Sequence, residues 1–204
     1  MDDSPRPTLR LASDLAERPD EELMTAYRNG DVAAFDVLVH RHRNRVFGFL
    51  RRMGWTGARA EELVADVFLK IHRAAPRYEP TARFTTWLYT VTYRASLNAR
   101  DKAAHQLDRS VGGDAELDLH GRSHAPSPER RLAASQALAV IDRELATLPE
   151  THRAAFVLYY REGLSCSELA AALDITPAEA KGRLAYARKL LRSRLEPLLA
   201  ERRS

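Results

Sequence analysis

The stretch Ser165–Arg188, SCSELAAALDITPAEAKGRLAYAR, decides how the chain is read. Ser165 is followed three residues later by Glu168, and Thr176 three residues later by Glu179. In that spacing a hydroxyl caps a free amide at a helix start while the carboxylate reaches back to the cap's own N–H. Pro177 follows the second cap, at the first helical position, where its missing N–H costs nothing. A short helix over Glu168–Leu173 and the turn Asp174-Ile175 lie between the two starts. Two helices joined by so short a turn must cross steeply, so the stretch reads as a helix-turn-helix.

The second helix of this pair carries unusual charge. Between Thr176 and Leu195 stand Lys181, Arg183, Arg188, Lys189, Arg192 and Arg194 against the single acid Glu179. That excess of five exceeds the +4 of the whole chain, and seven acids against three bases in Met1–Glu22 show the opposite bias. Ala180, Leu184, Ala187 and Leu191 take the inward face, leaving Lys181, Arg183, Tyr186 and Arg188 around the rest. Such a helix can enter a DNA major groove with its N-terminal part on base edges. Arg188, Lys189 and Arg192 are placed for phosphates, which anchor without reading sequence. A basic run by itself is more often a solvated face; the two caps and the short turn favour DNA. Gly182 costs about 1 kcal/mol in a helix interior and is explained equally well by a close backbone approach to DNA or by tolerated drift.

Upstream, Leu138, Ile141 and Leu145 give Leu132–Ala146 one apolar face, and Glu150–Arg161 carries Phe156, Val157 and Tyr160. Before these, aromatic residues vanish. All fifteen lie outside Asp101–Ala155, eleven of them between Tyr27 and Tyr93. Asp101–Arg131 holds only Leu107, Val111, Leu117 and Leu119 as large aliphatics, with Gly112, Gly113, Gly121, Pro126 and Pro128. Such a segment buries too little surface to offset its ordering entropy and reads as a tether. Met1–Pro19, with three prolines, reads as a disordered arm.

The N-terminal half is helical by the same test. Leu23, Met24 and Tyr27 share a face, and from Val32 the apolar set Phe35, Leu38, Val39, Val46, Phe49, Leu50, Met53 recurs at helical steps. Gly54-Trp55-Thr56-Gly57 interrupts it. Leu63, Val67 and Ile71 then form a stripe widened by Val64 and Phe68, opposite Glu61, Glu62, Asp66, Lys70 and Arg73. A fourth helix begins near Thr85 and buries Trp87, Leu88, Val91 and Ala95. The expected fold is all-α: two small helical domains, a four-helix body and a helix-turn-helix body, joined by a flexible linker. The boundaries are 1–19 arm, 20–100 first domain, 101–131 linker and 132–204 second domain.

Several classes drop out. No apolar run approaches the roughly 18 residues of a membrane span, and the N-terminus lacks the basic-then-apolar order of a secretory signal. Cytoplasmic placement without membrane insertion is the expectation. The single cysteine, Cys166, excludes an internal disulfide and a multi-cysteine zinc site. There is no glycine-rich phosphate loop and no HExxH pattern. His40 and His42 fall on different helix faces, and His105, His120 and His124 with Asp118 read as solvated tether residues. Cys166 reads as a packed small residue rather than a reactive thiol. No catalytic residue, metal or cofactor is expected.

Motifs in both halves resemble one family. Leu148-Pro149…Arg153…Phe156-Val157-Leu158…Glu162-Gly163-Leu164-Ser165…Glu168-Leu169-Ala170…Ala180-Lys181-Gly182-Arg183-Leu184…Ala187-Arg188 resembles the C-terminal domain (region 4) of bacterial extracytoplasmic-function (ECF) sigma factors. Asn29-Gly30-Asp31…Ala34-Phe35…Leu38 is similar to the start of their region 2, and Ala60–Lys70 to the helix that docks on the core polymerase clamp. Phe84-Thr85-Thr86-Trp87-Leu88-Tyr89 resembles the segment that melts and reads the −10 element. The resemblance spans about Asp20 to Leu195, in the family's order, with its central tether and nothing like regions 1.1 or 3 of housekeeping sigma factors.

The resemblance implies a non-enzymatic specificity subunit bridging core RNA polymerase, at its clamp and flap, to two promoter elements. A partner anti-sigma factor is a further family expectation. The polymerase surface would comprise Glu61, Glu62, Asp66, Phe68 and Lys70. The −10 and melting set would be Arg77, Tyr78, Arg83, Phe84, Tyr89, Tyr93, Arg94 and Asn98, a mixture of aromatics and cations that suits single strands, with stacking giving about 1–3 kcal/mol per base. Trp87 is read as core; Tyr89, Tyr93 and Arg94 are read as DNA contacts. The −35 set would be Arg153, Thr176, Lys181, Gly182, Arg183, Tyr186, Arg188 and Lys189. The chain departs from the family at Arg94, where many members have asparagine, and at Asn98, where aspartate is frequent. Competing readings are a helix-turn-helix regulator that senses through its N-terminal half, and an adaptor or sequestering protein. The first lacks a ligand-cavity signature, and the second has no need for the basic recognition helix.

Overall fold

A computed structural model describes residues 15–107 and 140–201, and every regular element among them is helical. In chain order these are α1 (Asp20–Arg28), α2 (Val32–Arg52), α3 (Gly57–Ala74), a 3-10 turn (Ala75–Arg77), α4 (Phe84–Leu107), α5 (Glu150–Tyr160), α6 (Cys166–Leu173) and α7 (Pro177–Glu201). A further helical segment occupies 140–146.

The first four helices form one body. Leu23, Met24, Leu38, Phe49, Leu50, Ile71 and Leu88 are all without solvent exposure at its centre, so the spacings of three and four in the sequence do mark the buried stripes. Leu15, from the stretch read as a disordered arm, also packs into this core; residues 1–14 lie outside the described residues. Gly54, at φ +95°, turns the chain between α2 and α3 in a conformation costly for residues with a Cβ. Phe84 begins α4, and its backbone N–H donates to the Glu21 carboxylate at 2.6 Å, so α1 caps the start of α4. Asp20 reinforces α1 through Arg41 and through His42 Nε2 at 2.7 Å.

The second body contains α5, α6 and α7 around Leu158, Leu169, Ala180, Leu184, Ala187 and Leu191. Both anticipated caps form. The Glu168 N–H donates to Ser165 Oγ at 3.3 Å while the Ser165 N–H donates to the Glu168 carboxylate at 2.8 Å. Thr176 and Glu179 repeat the pattern at 3.2 and 2.8 Å. Asp174 ends α6 in the left-handed region at φ 57°, one of the few non-glycine types that tolerates it.

One expectation about the middle of the chain meets a different structure. α4 continues as helix to Leu107, past the start of the stretch read as a tether. The residues 101–105 are mostly exposed, as their low aliphatic content implies, and the helix is held just before them, where Ala99 packs inward and Arg100 donates to the Met53 carbonyl at 2.6 Å. Residues 108–139, which hold the rest of the linker, its Asp118, His120 and His124, and Leu132–Leu138, lie outside the described residues. The two bodies also touch. α6 packs along α4, and α5 approaches α2.

Candidate nucleic-acid interface

The basic helix α7 presents its cations as the sequence suggests. Thr176, Lys181, Gly182, Arg188 and Lys189 are exposed, Arg183 is half-buried, and Tyr186 is 48% exposed, its ring 4.5 Å from that of His152. Ala180, Leu184, Ala187 and Leu191 face the core. A Cβ placed on Gly182 would meet nothing within 4 Å, so internal packing does not demand glycine there. Arg153 lies elsewhere. It is half-buried, its Nε has no hydrogen-bond partner, and burial and then the neighbouring Arg100 charge hold its pKa below the usual guanidinium range, partly opposed by Glu150. It donates to the Ala146 carbonyl at 3.4 Å and lies within reach of the Arg100 and Glu150 charges.

On α3, Glu61, Glu62, Asp66 and Lys70 are exposed along one side. Phe68 is not part of that surface: it is 7% exposed and packs edge-on to Phe35 with ring centroids 6.5 Å apart. The apolar residue that does stand among the acids is Leu69, 43% exposed. A helical-wheel reading signals it, because Leu69 lies one turn from Asp66 and two from Glu62.

The α4 set divides in two. Arg77, Arg83, Arg94 and Asn98 are exposed. Phe84, Tyr78, Tyr89 and Tyr93 are buried, at 0, 5, 0 and 5%. Phe84 is packed by the N-terminal body itself, against His42 and Trp87. Tyr89 and Tyr93 reach the other body. The Tyr89 ring lies against Phe49, and its hydroxyl donates to the Glu162 carboxylate in a short hydrogen bond. Burial, with the Glu162 charge behind it, pushes the Tyr89 phenol far above its ordinary value, so it remains a donor at every working pH. Tyr93 is also pushed up, by burial and then by Glu150.

Beside α4 lies a pocket of about 400 Å³ whose lining includes Arg77, Tyr78, Thr86, Trp87, Thr90 and, from α6, Ala171. Tyr78 Oη and Thr86 Oγ1 are buried without hydrogen-bond partners. Burial and the nearby Glu21 and Asp20 charges raise the Tyr78 phenol to about 12, keeping it protonated. Trp87, read as core, is only half-buried and forms a wall of this pocket, its ring 5.1 Å from Tyr78.

The profile of Sigma-70 region 2 matches residues 38–106, and that of Sigma-70 region 4 matches residues 138–191. The RNA polymerase sigma factor CarQ of Myxococcus xanthus is 35% identical over 178 residues, 87% of this chain and 98% of the relative. The chain belongs to the ECF group of RNA polymerase sigma factors. The RNA polymerase sigma-H factor of Pseudomonas aeruginosa is 28% identical over 192 residues, 92% of this chain and 99% of its own length. The ECF RNA polymerase sigma-E factor of Haemophilus influenzae is 27% identical over 186 residues, 88% and 97% respectively. Among solved structures, CnrH in complex with the cytosolic domain of CnrY superposes with a TM-score of 0.63 at 24% identity, covering 87% of this chain and 97% of that one. The sigma factor RpoE of Bartonella quintana, in complex with the anti-sigma factor NepR, gives 0.68 at 20% identity, covering 81% and 98%.

This ECF sigma factor directs transcription initiation. Both bodies are matched in the family's order, so neither half is left over for a separate sensor, and the regulator and adaptor readings are not favoured. No described helix is long and apolar enough to cross a membrane.

Proposed function

We propose that this sigma factor is a non-catalytic subunit that acts on the cytoplasmic core polymerase and addresses it to promoters through three separate surfaces. The outer side of α3, with Glu61, Glu62, Asp66, Lys70 and the apolar Leu69, docks on the clamp, where acidic side chains meet a basic partner and Leu69 supplies the desolvated contact. The second body lies against the flap and reads the −35 element through α7. Lys181, Gly182, Arg183 and Tyr186 face base edges, and Arg188 and Lys189 hold phosphates.

The −10 element is captured at α4. The observation that carries this reading is the pocket beside Trp87, in which Tyr78 Oη is buried and unpartnered and Thr86 Oγ1 is buried next to the Glu168 carboxylate. A buried hydroxyl without a partner is costly, and an unstacked base entering beside it supplies the missing hydrogen bond while stacking on the indole. Arg77 and Arg83 flank the entrance for phosphates, with Arg94 and Asn98 further along α4. Capture of a flipped base offsets part of the cost of opening the duplex without ATP. The half-buried Arg153 is better placed to order the second body than to hold a −35 phosphate. By analogy with the sigma factor RpoE solved with the anti-sigma factor NepR, a protein of that class holds this chain inactive.

Run-off transcription with purified chain and bacterial core polymerase on a genomic fragment library tests the proposal. Specific start sites are expected, with −35 dependence weakened in Lys181→Ala, Arg183→Ala and Tyr186→Ala and melting weakened in Thr86→Val. Absence of specific transcripts with every fragment contradicts it.

A further inference from the structure

The tyrosine on the open face of the second body leans on a residue from another helix. Tyr186 is 48% exposed, yet its ring centroid lies 4.5 Å from that of His152, the two planes tilted by 52°. His152 belongs to the first turn of α5, where its N–H donates to the Pro149 carbonyl at 3.0 Å. α5 packs along α7, and both bury alanines, Ala154 and Ala155 on one helix and Ala180 and Ala187 on the other. Small residues let the backbones run close, so a half-buried side chain of α5 reaches the outer face of α7.

A tyrosine on a helix leans back over the residues three and four positions earlier. For Tyr186 those are Arg183 and Gly182, and a Cβ at Gly182 would meet nothing within 4 Å. The helix itself thus offers this ring no side-chain wall one turn back, and among the described residues no other aromatic ring lies against it. An unsupported tyrosine loses rotamer freedom when it docks on a base edge, whereas a ring held beforehand has already met that cost.

The imidazole also suits its surroundings. The titratable and charged groups that face it are Arg183 and Tyr186 of α7, while the charges at this end of its own helix, Glu150 and Arg153, are engaged with Arg100 of α4. Burial, and then the Arg183 charge, hold the imidazole below the usual histidine value. It is therefore neutral at neutral pH and stands beside Arg183 without a second positive charge to push the guanidinium away.

We infer that His152 is a positioning residue for −35 recognition: from α5 it fixes the Tyr186 ring beside Arg183, so that the two side chains meet the major groove as one preformed unit. The inference rests on the reading of α7 as the −35 helix, and its test separates the two.

Holoenzyme assembled from the full chain and bacterial core polymerase is bound to a promoter found by the run-off assay, with its −35 element randomised, and sequencing the bound fraction gives the base preference at each position. Tyr186→Ala should lose preference at the positions that Tyr186 reads. His152→Ala should weaken preference at those same positions by about two- to tenfold, the size of an aromatic pair contact, and leave the others intact. His152→Phe, which keeps a ring, should restore it. Ser165→Ala, which loosens the second body through its cap, should lower occupancy evenly, and a merely structural role of His152 would look the same. A second measurement reads the contact in the free full chain. The Tyr186 ring resonances should follow the titration of His152, with a midpoint below the ordinary histidine value, and should cease to do so in His152→Phe. Wild-type preference in His152→Ala alongside altered preference in Tyr186→Ala overturns the inference and leaves the −35 reading standing. So do an even loss across all positions, a His152→Phe as impaired as His152→Ala, and Tyr186 resonances indifferent to the titration. Unchanged preference in Tyr186→Ala, Lys181→Ala and Arg183→Ala alike refutes the −35 reading, and the inference with it.

Discussion

Two helices that the sequence presents as DNA readers lie in opposite situations. α7 carries its cations into open solvent, with Tyr186 half-exposed beside them. Of the candidate contacts on α4, Arg94 and Asn98 are exposed, while Tyr89 and Tyr93 are buried facing the second body. Both helices mix aromatic and basic residues, so composition does not separate them. The difference lies in what each aromatic costs when exposed. A groove-reading helix works with cations that are stable in water, whereas a melting helix needs apolar faces that water penalises until bases cover them.

Substitutions can sharpen that contrast. The largest effect is expected in the core of the N-terminal body. Phe84→Ala or Phe49→Ala, both fully buried, should destabilise that body by about 3–5 kcal/mol in urea unfolding. Lys189→Ala on the open face should stay within about 0.5 kcal/mol. Equal losses at the two kinds of site would erase the distinction. Next comes recognition. Lys181→Ala and Arg183→Ala should each cost about 1–3 kcal/mol of promoter affinity if they reach base edges, whereas Arg188→Ala should lower the salt slope of binding by about one without altering sequence preference. A change in preference with Arg188→Ala would move the reading edge of the helix.

A smaller effect tests the cap that starts α6. Ser165→Ala should remove about 1 kcal/mol from the second body and leave the first untouched, measured by domain-resolved hydrogen exchange. The smallest is a pH effect at α1. Burial raises the Asp20 carboxyl, but its bonds to His42 and Arg41 outweigh this and leave it below the ordinary value. A depressed folded pKa contributes stability that is complete above the unfolded value, about 3.9, and is lost as pH falls through the folded one. Asp20→Asn should therefore flatten the acid limb below about pH 4 without changing the alkaline side; an unchanged acid limb would remove Asp20 from that role.

The helices were legible because apolar spacing alone sets which face is buried, and the two caps because hydroxyl and carboxylate lie three residues apart. Phe68 shows the limit of that reading. It belongs to the wide apolar stripe of α3, and its burial against Phe35 is a matter of how two helices meet, whereas Leu69 holds the exposed position. Tyr89 and Tyr93 show a deeper one. Their partners Glu162 and Glu150 are 73 and 57 positions away, across a linker, and no local pattern links them. The same holds for Arg153, whose basic character suggested a phosphate but whose neighbours are Arg100 and Glu150. The pocket hydroxyls Tyr78 and Thr86 were half legible: Tyr78 stands in an aromatic-basic segment, and nothing in the sequence marks Thr86.

Oxidative footprinting of single tyrosines through the initiation sequence tests the central contrast most directly. In the free chain, Tyr186 should react readily while Tyr89 and Tyr93 are protected. Binding core polymerase should expose Tyr89 and Tyr93, and adding promoter DNA should protect all three. Tyrosines 89 and 93 as reactive as Tyr186 in the free chain, or protected without change throughout, would contradict the account.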